Sequence, residues 1–399
     1  MNIQRNNAGT RAAGFALLAA LTVVAPQGLR AQQGPGGQQA PPGPTGPLAP
    51  EKYKNIQVLT NVSADQLDTT MRYVSASVGM RCSDCHVVEP GAPAAFEKDD
   101  KRAKQTARQM MKMVYAINAG GFGVQVECGT CHAGQNRPAG MPMAAMLTPE
   151  QVAQMTPPSP PPGARLQGPQ GAAGASGGGR GPGRGAPGPP VADVVDKYLA
   201  AIGGRAAAEK MQSLSMNGTV TSRTGLSVAF TIEEKPNKYR ESRQTTPNAM
   251  IHGFDGKAGW QRTANTGDLT GFQLDQALRL SDLGLVLHLN DKYTNVQSSG
   301  RPMQVEGKDT TVVSGRVGPA TEQFFFDSSS GLLLRRVVAT RTTLGTMREQ
   351  IDYADYRSVG DLKLPFEMKL TTWNTLDTFK VADAKVNVAL DDARFSKPN

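Results

Sequence analysis

The sequence lacks any stretch of the roughly 20 apolar residues that a membrane-spanning helix needs. Its longest apolar run, residues 12–25, is shorter than that and follows Arg5 and Arg11. A basic start, a short apolar run and a small-residue end at Ala31 predict a secretory signal peptide over residues 1–31. A retained membrane anchor is the alternative. After cleavage we expect no transmembrane span and a location in the periplasm or otherwise outside the cytoplasm.

An excess of one charge is also lacking in the parts expected to fold. The formal net charge is +9, but part of that excess lies in the signal peptide and in a Pro/Gly-rich stretch. Residues 51–136 carry ten basic and nine acidic side chains, and residues 191–399 carry 26 and 24. Binding to nucleic acid phosphates needs clustered positive charge. Nucleic acid is therefore excluded as a partner.

Cysteine and histidine are scarce, with four of each in 399 residues, yet they occur together. All four cysteines and two of the histidines fall in two Cys-x-x-Cys-His motifs. The first motif is Cys82, Cys85 and His86, and the second is Cys128, Cys131 and His132. A repeated five-residue pattern in such a chain indicates one chemistry used twice.

Two cysteines at this spacing can form thioethers to one haem, and the adjoining histidine then becomes an axial ligand of its iron. The motifs predict two covalently bound haem c groups. A four-cysteine zinc site suits a shorter separation than the 42 residues between Cys85 and Cys128. A thioredoxin-like pair needs a neighbouring βαβ pattern, which is absent, and two ordinary disulfides would not impose the same motif twice.

The second axial ligand distinguishes an electron carrier from an iron that binds oxygen, peroxide or gases. Met71 and Met110 each lie in a helical pattern shortly before a motif and are the best candidates. Met111 and Met113 are rivals, but they fall outside the predicted apolar stripe of Ala103, Ala107, Met110, Val114 and Ile117. His252 and His288 occur singly in the last part of the chain, and we interpret them as structural or surface residues.

The stretch from Lys54 to Pro138 resembles the cytochrome subunit family of photosynthetic reaction centres and its two-haem relatives. The resemblance rests on NIQVLTNVSADQLDTTMRYVSASVGMRCSDCHVVE, FEKDDKRAKQTARQMMKMVYAIN and GVQVECGTCHAGQNRP. It implies one methionine ligand on the helix beside each haem, pairing Met71 with His86 and Met110 with His132. The photosynthetic subunit holds four haems, whereas this chain has two motifs. Ser83, Asp84 and Gly129 also replace its usual aromatic filler residues.

Proline and glycine divide the rest of the chain. Residues 32–50 predict a disordered lead-in, and residues 137–190 predict a long flexible linker between two almost independent domains. After a helix over 191–202, residues 191–399 alternate like antiparallel strands, with one helical insertion around 273–287. The predicted fold class is multidomain α + β, with an α-helical di-haem domain over 51–136 and an antiparallel β half-barrel with helices.

The C-terminal part resembles outer-membrane lipoprotein carriers of the LolA/LolB type. The likeness lies in GFDGKAGW, FFFDSSSGLLLRRVV, IDYADYRSVGDLKLPFEMKL and DDARFSKP. It implies a half-open barrel that binds an apolar ligand or lipid, and a docking module is the alternative. The whole chain is interpreted as a periplasmic cytochrome that passes electrons between redox partner proteins. A haem enzyme of the peroxidase or nitrogen-oxide reductase type, or a ligand carrier with redox sensing, remains open.

Overall fold

The computed structural model describes residues 46–89, 94–120, 125–138, 187–263, 266–372 and 375–398. All of them belong to one compact unit, residues 40–399. The predicted signal peptide, most of the lead-in and most of the linker lie outside the described residues. None of the described helices combines the length and the apolarity needed to cross a bilayer.

Five helices are formed by the described residues of the N-terminal part. Their bounds are α1 Ala49–Lys52, α2 Ala64–Val78, α3 Cys82–Cys85, α4 Arg102–Ala119 and α5 Cys128–His132. The Ser63 hydroxyl accepts a hydrogen bond from the Gln66 N–H and caps α2. Gly79 ends the same helix in the left-handed region, at φ 64°. The helices predicted from periodicity are therefore present, and the cysteine motifs themselves form one-turn helices.

Helix α4 buries only part of the apolar stripe predicted for it. Its deeply buried residues are Lys104, Met111 and Val114. Met110, which periodicity placed in the apolar stripe, is 40% exposed, whereas Met111 is 7% exposed. Val114 is buried as predicted, but the prediction that Met110 lies in the buried stripe is wrong because Met111 occupies the core position instead.

Fourteen antiparallel strands form one open sheet in the described C-terminal part. Their spatial order is β6-β5-β4-β3-β2-β1-β14-β13-β12-β11-β10-β9-β7, and β8 pairs with β9. Their bounds are β1 Leu214–Thr221, β2 Ser227–Lys235, β3 Lys238–Arg243, β4 Met250–Phe254, β5 Gly259–Arg262, β6 Thr266–Asp268, β7 Thr294–Ser298, β8 Met303–Val305, β9 Lys308–Val317, β10 Ala320–Asp327, β11 Leu333–Thr342, β12 Gly345–Val359, β13 Leu362–Thr371 and β14 Leu376–Val386.

Helices pack on this sheet and complete two apolar clusters. The helices are α6 Val191–Ile202, α7 Arg205–Glu209, α8 Gly271–Leu280 and α9 Leu289–Lys292, with 3₁₀ turns at Leu285–His288 and Asp392–Phe395. Helix α6 joins Phe324 and Phe326 in one cluster, and Ala277 of α8 joins Phe230 and Phe379 in the other. The prediction for this part was an antiparallel β half-barrel with helices, and the antiparallel sheet is confirmed as one that is not closed.

The helical part contacts the sheet at residues 342–346, where β11 ends, the chain turns and β12 begins. We call this segment the β11–β12 tip. Leu344 is 1% exposed and packs with Tyr73 and Met111. Helix α2 also contacts α8, where Arg72 donates to the Gln273 side-chain oxygen across 3.1 Å. The sequence predicted two almost independent domains, but the structure places the two parts in direct contact.

Candidate functional site

The cysteines of each motif lie on a single helical turn. Because residues three apart share one side of a helix, Cys82 faces the same way as Cys85, and Cys128 the same way as Cys131. All four thiols are free, and Cys82 and Cys131 are exposed. Each pair can therefore reach one ligand at the protein surface.

Burial sets the protonation state of the inner cysteine of each motif. It raises the pKa of the Cys85 thiol and raises the pKa of Cys128 to about 11. Redox-active cysteines need a lowered pKa, because the thiolate is the nucleophile. These two thiols are protonated at neutral pH.

The histidine of each motif is oriented by a backbone carbonyl. His86 Nδ1 lies 3.3 Å from the Phe96 oxygen, and His132 Nδ1 lies 3.0 Å from the Gln135 oxygen. A carbonyl can only accept, so Nδ1 carries the proton in both rings and Nε2 keeps its lone pair. Burial also lowers the pKa of His86 and keeps it neutral. Both rings thus present Nε2 as a metal donor.

The two motifs are close to each other in the fold. The Gly134 N–H donates to the Ser77 carbonyl across 2.8 Å. Gly79, three residues before Cys82, approaches Gly134 so closely that a methyl group there would overlap the Gly134 oxygen. Since Gly134 follows His132 by two residues, the end of α2 brings both motifs into one region.

The candidate methionines have different surroundings. Met71 is half-buried on α2, against the cluster that contains Met111 and Leu344. Met110 and Met113 are 40% and 45% exposed and lie one turn apart on the outer side of α4. Met111 is engaged in the protein core, whereas Met110 and Met113 are free to meet a bound group.

Exposed apolar side chains are frequent in the helical part, which carries both motifs. Of the nine large hydrophobic side chains that are exposed in the described residues, five lie in the helical part: Tyr53, Val88, Phe96, Met110 and Met113. The Phe96 ring packs edge-on against His86, with centroids 5.1 Å apart. Free paired thiols, imidazoles oriented through Nδ1 and uncovered apolar surface fit a covalently attached haem.

Two polar side chains near the second motif were not anticipated from the sequence. Glu127 Oε2 accepts from the Tyr73 hydroxyl and from the Thr346 N–H, each across 3.3 Å. The Gly129 N–H donates to the same tyrosine oxygen, also across 3.3 Å. Burial raises the pKa of Tyr73 to about 12, so its hydroxyl stays protonated. The only sequence signal was the position of Glu127 directly before Cys128.

Other metal-binding arrangements are not formed by the described residues. They contain no group of three or more His, Cys, Asp and Glu side chains that could hold a metal ion, so the two cysteine pairs do not meet in one cluster. His252 is half-buried on β4, and burial lowers its pKa. His288 is exposed, with Nδ1 3.7 Å from Asp291.

Comparison with solved structures returned proteins similar to the C-terminal part. They include an outer membrane lipoprotein-sorting protein domain from Vibrio parahaemolyticus, at 10% identity and TM-score 0.39, covering 52% of this chain and 98% of that one. A LolA superfamily protein from Nitrosomonas europaea has 11% identity and TM-score 0.37, covering 52% and 97%. A DUF1329 family protein from Desulfovibrio piger has 11% identity and TM-score 0.34, with the same coverage.

No curated protein matches the chain. The N-terminal part matches a family model that spans both motifs, which confirms the resemblance found in the sequence. That family implies haem c binding. Residues 2–158 of this chain match the family of the photosynthetic reaction centre cytochrome C subunit.

Proposed function

We propose that the protein is a periplasmic di-haem c-type cytochrome that transfers electrons between redox partner proteins. The observation that carries the proposal is the shared arrangement of His86 and His132. Each donates Nδ1–H to a backbone carbonyl and leaves Nε2 free. Metal-binding histidines are held in this way, because the second bond fixes the ring and its tautomer.

In this proposal the four cysteines hold two haem c groups covalently. Cys82 and Cys85 bind the first through thioethers, and Cys128 and Cys131 bind the second. Bound haem c supplies a one-electron ferric/ferrous iron couple. His86 together with Met71, and His132 together with Met110, would hold the two irons. A thioether ligand favours ferrous iron and raises the reduction potential.

The arrangement of the motifs supports electron transfer within the chain. The contact of Ser77 and Gly79 with Gly134 brings the segments beside both motifs together. Apolar side chains around the motifs, such as Val88 and Phe96, remain exposed for covering by haem or by a partner protein. Electron transfer of this kind requires no substrate to bind at the iron. We therefore regard the protein as an electron carrier rather than an enzyme.

The C-terminal sheet serves in this proposal as a docking module or a site for an apolar ligand. Docking is favoured by the packing of α6 and α8 on the sheet, because these helices already cover its apolar residues. Lipid that co-purifies with the protein and shifts a haem potential when extracted would instead support the ligand carrier.

The test is expression of the full chain with its leader in a bacterium that matures c-type cytochromes. We expect a periplasmic product that keeps two haems after denaturation and shows low-spin, six-coordinate spectra in both oxidation states. If neither spectrum changes when carbon monoxide is added, the result supports an electron carrier. A high-spin iron that binds carbon monoxide would favour the alternative, a haem enzyme of the peroxidase or nitrogen-oxide reductase type.

A further inference from the structure

The sheet contacts the second motif directly, at the β11–β12 tip. The backbone N–H of Cys128 donates to the Leu344 carbonyl across 3.4 Å. The residue before it, Glu127, accepts from the Thr346 N–H. A cysteine expected to carry haem is therefore held by a strand connection that lies more than 200 residues away in the chain.

A chain of hydrogen bonds extends this contact into α2. Thr346 N–H and the Tyr73 hydroxyl both donate to Glu127 Oε2, and Gly129 N–H donates to Tyr73. The Tyr115 hydroxyl adds a bond of 3.2 Å to the Thr343 hydroxyl oxygen. The tip, the peptide of the second motif and two helices are thus joined by polar contacts with defined directions.

Apolar packing fixes the position of the tip. Leu344 and Met347 are 1% and 3% exposed, and they pack with Tyr73, Met111 and Val114. Gly345 has φ 151°, and a methyl group there would overlap the Tyr73 hydroxyl. Only glycine permits this approach without displacing the tip or the tyrosine.

The first motif is held differently. Its Arg81 N–H donates to Asp84 across 2.8 Å, and His86 contacts the Phe96 carbonyl. Both partners belong to the helical part. A movement of the tip should therefore affect the second motif more than the first.

We propose that the β11–β12 tip is a positioning element for the second haem-binding peptide, acting through Glu127. This inference rests on the proposed function. Backbone dipoles and charges close to a haem set its reduction potential, as do the partners that orient its ligands. The sheet thereby tunes the potential of the second haem directly, and it reaches the first only indirectly, through Tyr73 and α2. An event that moves the sheet should therefore change the potential of the second haem more than that of the first.

The test uses the full chain with both haems attached and the variant Gly345→Ala. Its matched control is Gly318→Ala, a turn glycine at φ 52° between β9 and β10 with open space around it. Both substitutions strain a turn, but only Gly345→Ala disturbs Tyr73. We expect a spectroelectrochemical titration in which one of two one-electron components shifts more than the other in Gly345→Ala and neither shifts in Gly318→Ala.

The second variant, Glu127→Gln, keeps an acceptor oxygen for Thr346 and removes a negative charge next to Cys128. Loss of that charge disfavours ferric iron, so the same component should move to a higher potential. A chain with Cys82→Ala and Cys85→Ala, which keeps only the second haem, assigns the component. If Gly345→Ala does not fold, Leu344→Ala, which shortens the side chain that packs the tip against Tyr73 and Met111, takes its place.

Unchanged potentials in both variants, or equal shifts of both components, would overturn the inference. A failure of the proposed function can be told apart from a failure of this inference. If the proposed function is wrong, the mass spectrum of the unmodified protein shows no covalent haem, and this is known before any titration.

Discussion

Met110 and Met111 are adjacent on α4 but lie in opposite environments, with exposed fractions of 40% and 7%. Met111 contributes to the cluster that includes Tyr73 and Leu344. Met110 projects from the outer side of the helix. The proposed ligand and the core residue are thus separated by one position.

We predict opposite outcomes for two alanine variants at these positions. Met110→Ala removes the proposed axial sulfur, so the second haem should become high-spin and its potential should fall. Met111→Ala opens a cavity and should cost about 2–5 kcal/mol of stability with little spectral change. Visible and near-infrared spectra and thermal unfolding of both variants check this. A normal spectrum for Met110→Ala together with a changed one for Met113→Ala would transfer the ligand role to Met113.

Met71 is predicted to ligate the first haem. Met71→Ala should abolish the methionine-to-iron absorption of one haem and leave the other unchanged. Leu67→Ala on the same helix is the control, because Leu67 packs against the same cluster and has no donor atom. Equal spectra for the two variants would mean that Met71 is only a packing residue.

Gly79→Ala is predicted to damage both motifs. It places a side chain in the left-handed region, which costs about 1–2 kcal/mol, and its methyl group overlaps Gly134. Gly307→Ala, at φ 78° in open space, carries the backbone cost alone. Covalent haem content and melting temperature should fall much further in Gly79→Ala. Matching values for the two would contradict the close approach of the motifs.

Much of the fold and both motifs could be predicted from the sequence, because the signals for them lie in neighbouring residues. Helix α6 has the predicted bounds Val191–Ile202, and the helical insertion is present as α8 and a 3₁₀ turn. The Cys-x-x-Cys-His spacing alone identified both motifs. These features depend on capping residues, glycine stops and ligand spacing, which adjacent residues determine.

Contacts between distant segments could not be predicted in this way. The helical spacing of Leu67, Met71, Val74 and Val78 predicts that these residues form the buried face of α2. The most buried residues of the helix instead include Thr70, Tyr73 and Ser77. The hydroxyl groups of Thr70 and Ser77 bond to α2's own carbonyls, which lets small polar residues face the core. Leu344 sits in a turn, and no periodicity marks it as a core residue.

Stability should fall between about pH 5 and pH 8 because of Glu234. Burial, with the Asp282 charge as a smaller cause, raises the pKa of this carboxyl to about 8. The folded protein then holds a proton that the unfolded chain has released, so unfolding becomes easier as the pH rises through this window. Glu234→Gln should flatten this part of the profile in denaturant titrations. An unchanged slope would show that Glu234 is ionised in the fold.

The most direct measurement of the central claim is the mass of the mature protein, together with its haem spectrum in alkaline pyridine. We predict the polypeptide plus two haems, falling to one haem in the chain with Cys128→Ala and Cys131→Ala. A colourless mature protein whose mass equals that of its amino acids alone would contradict the account.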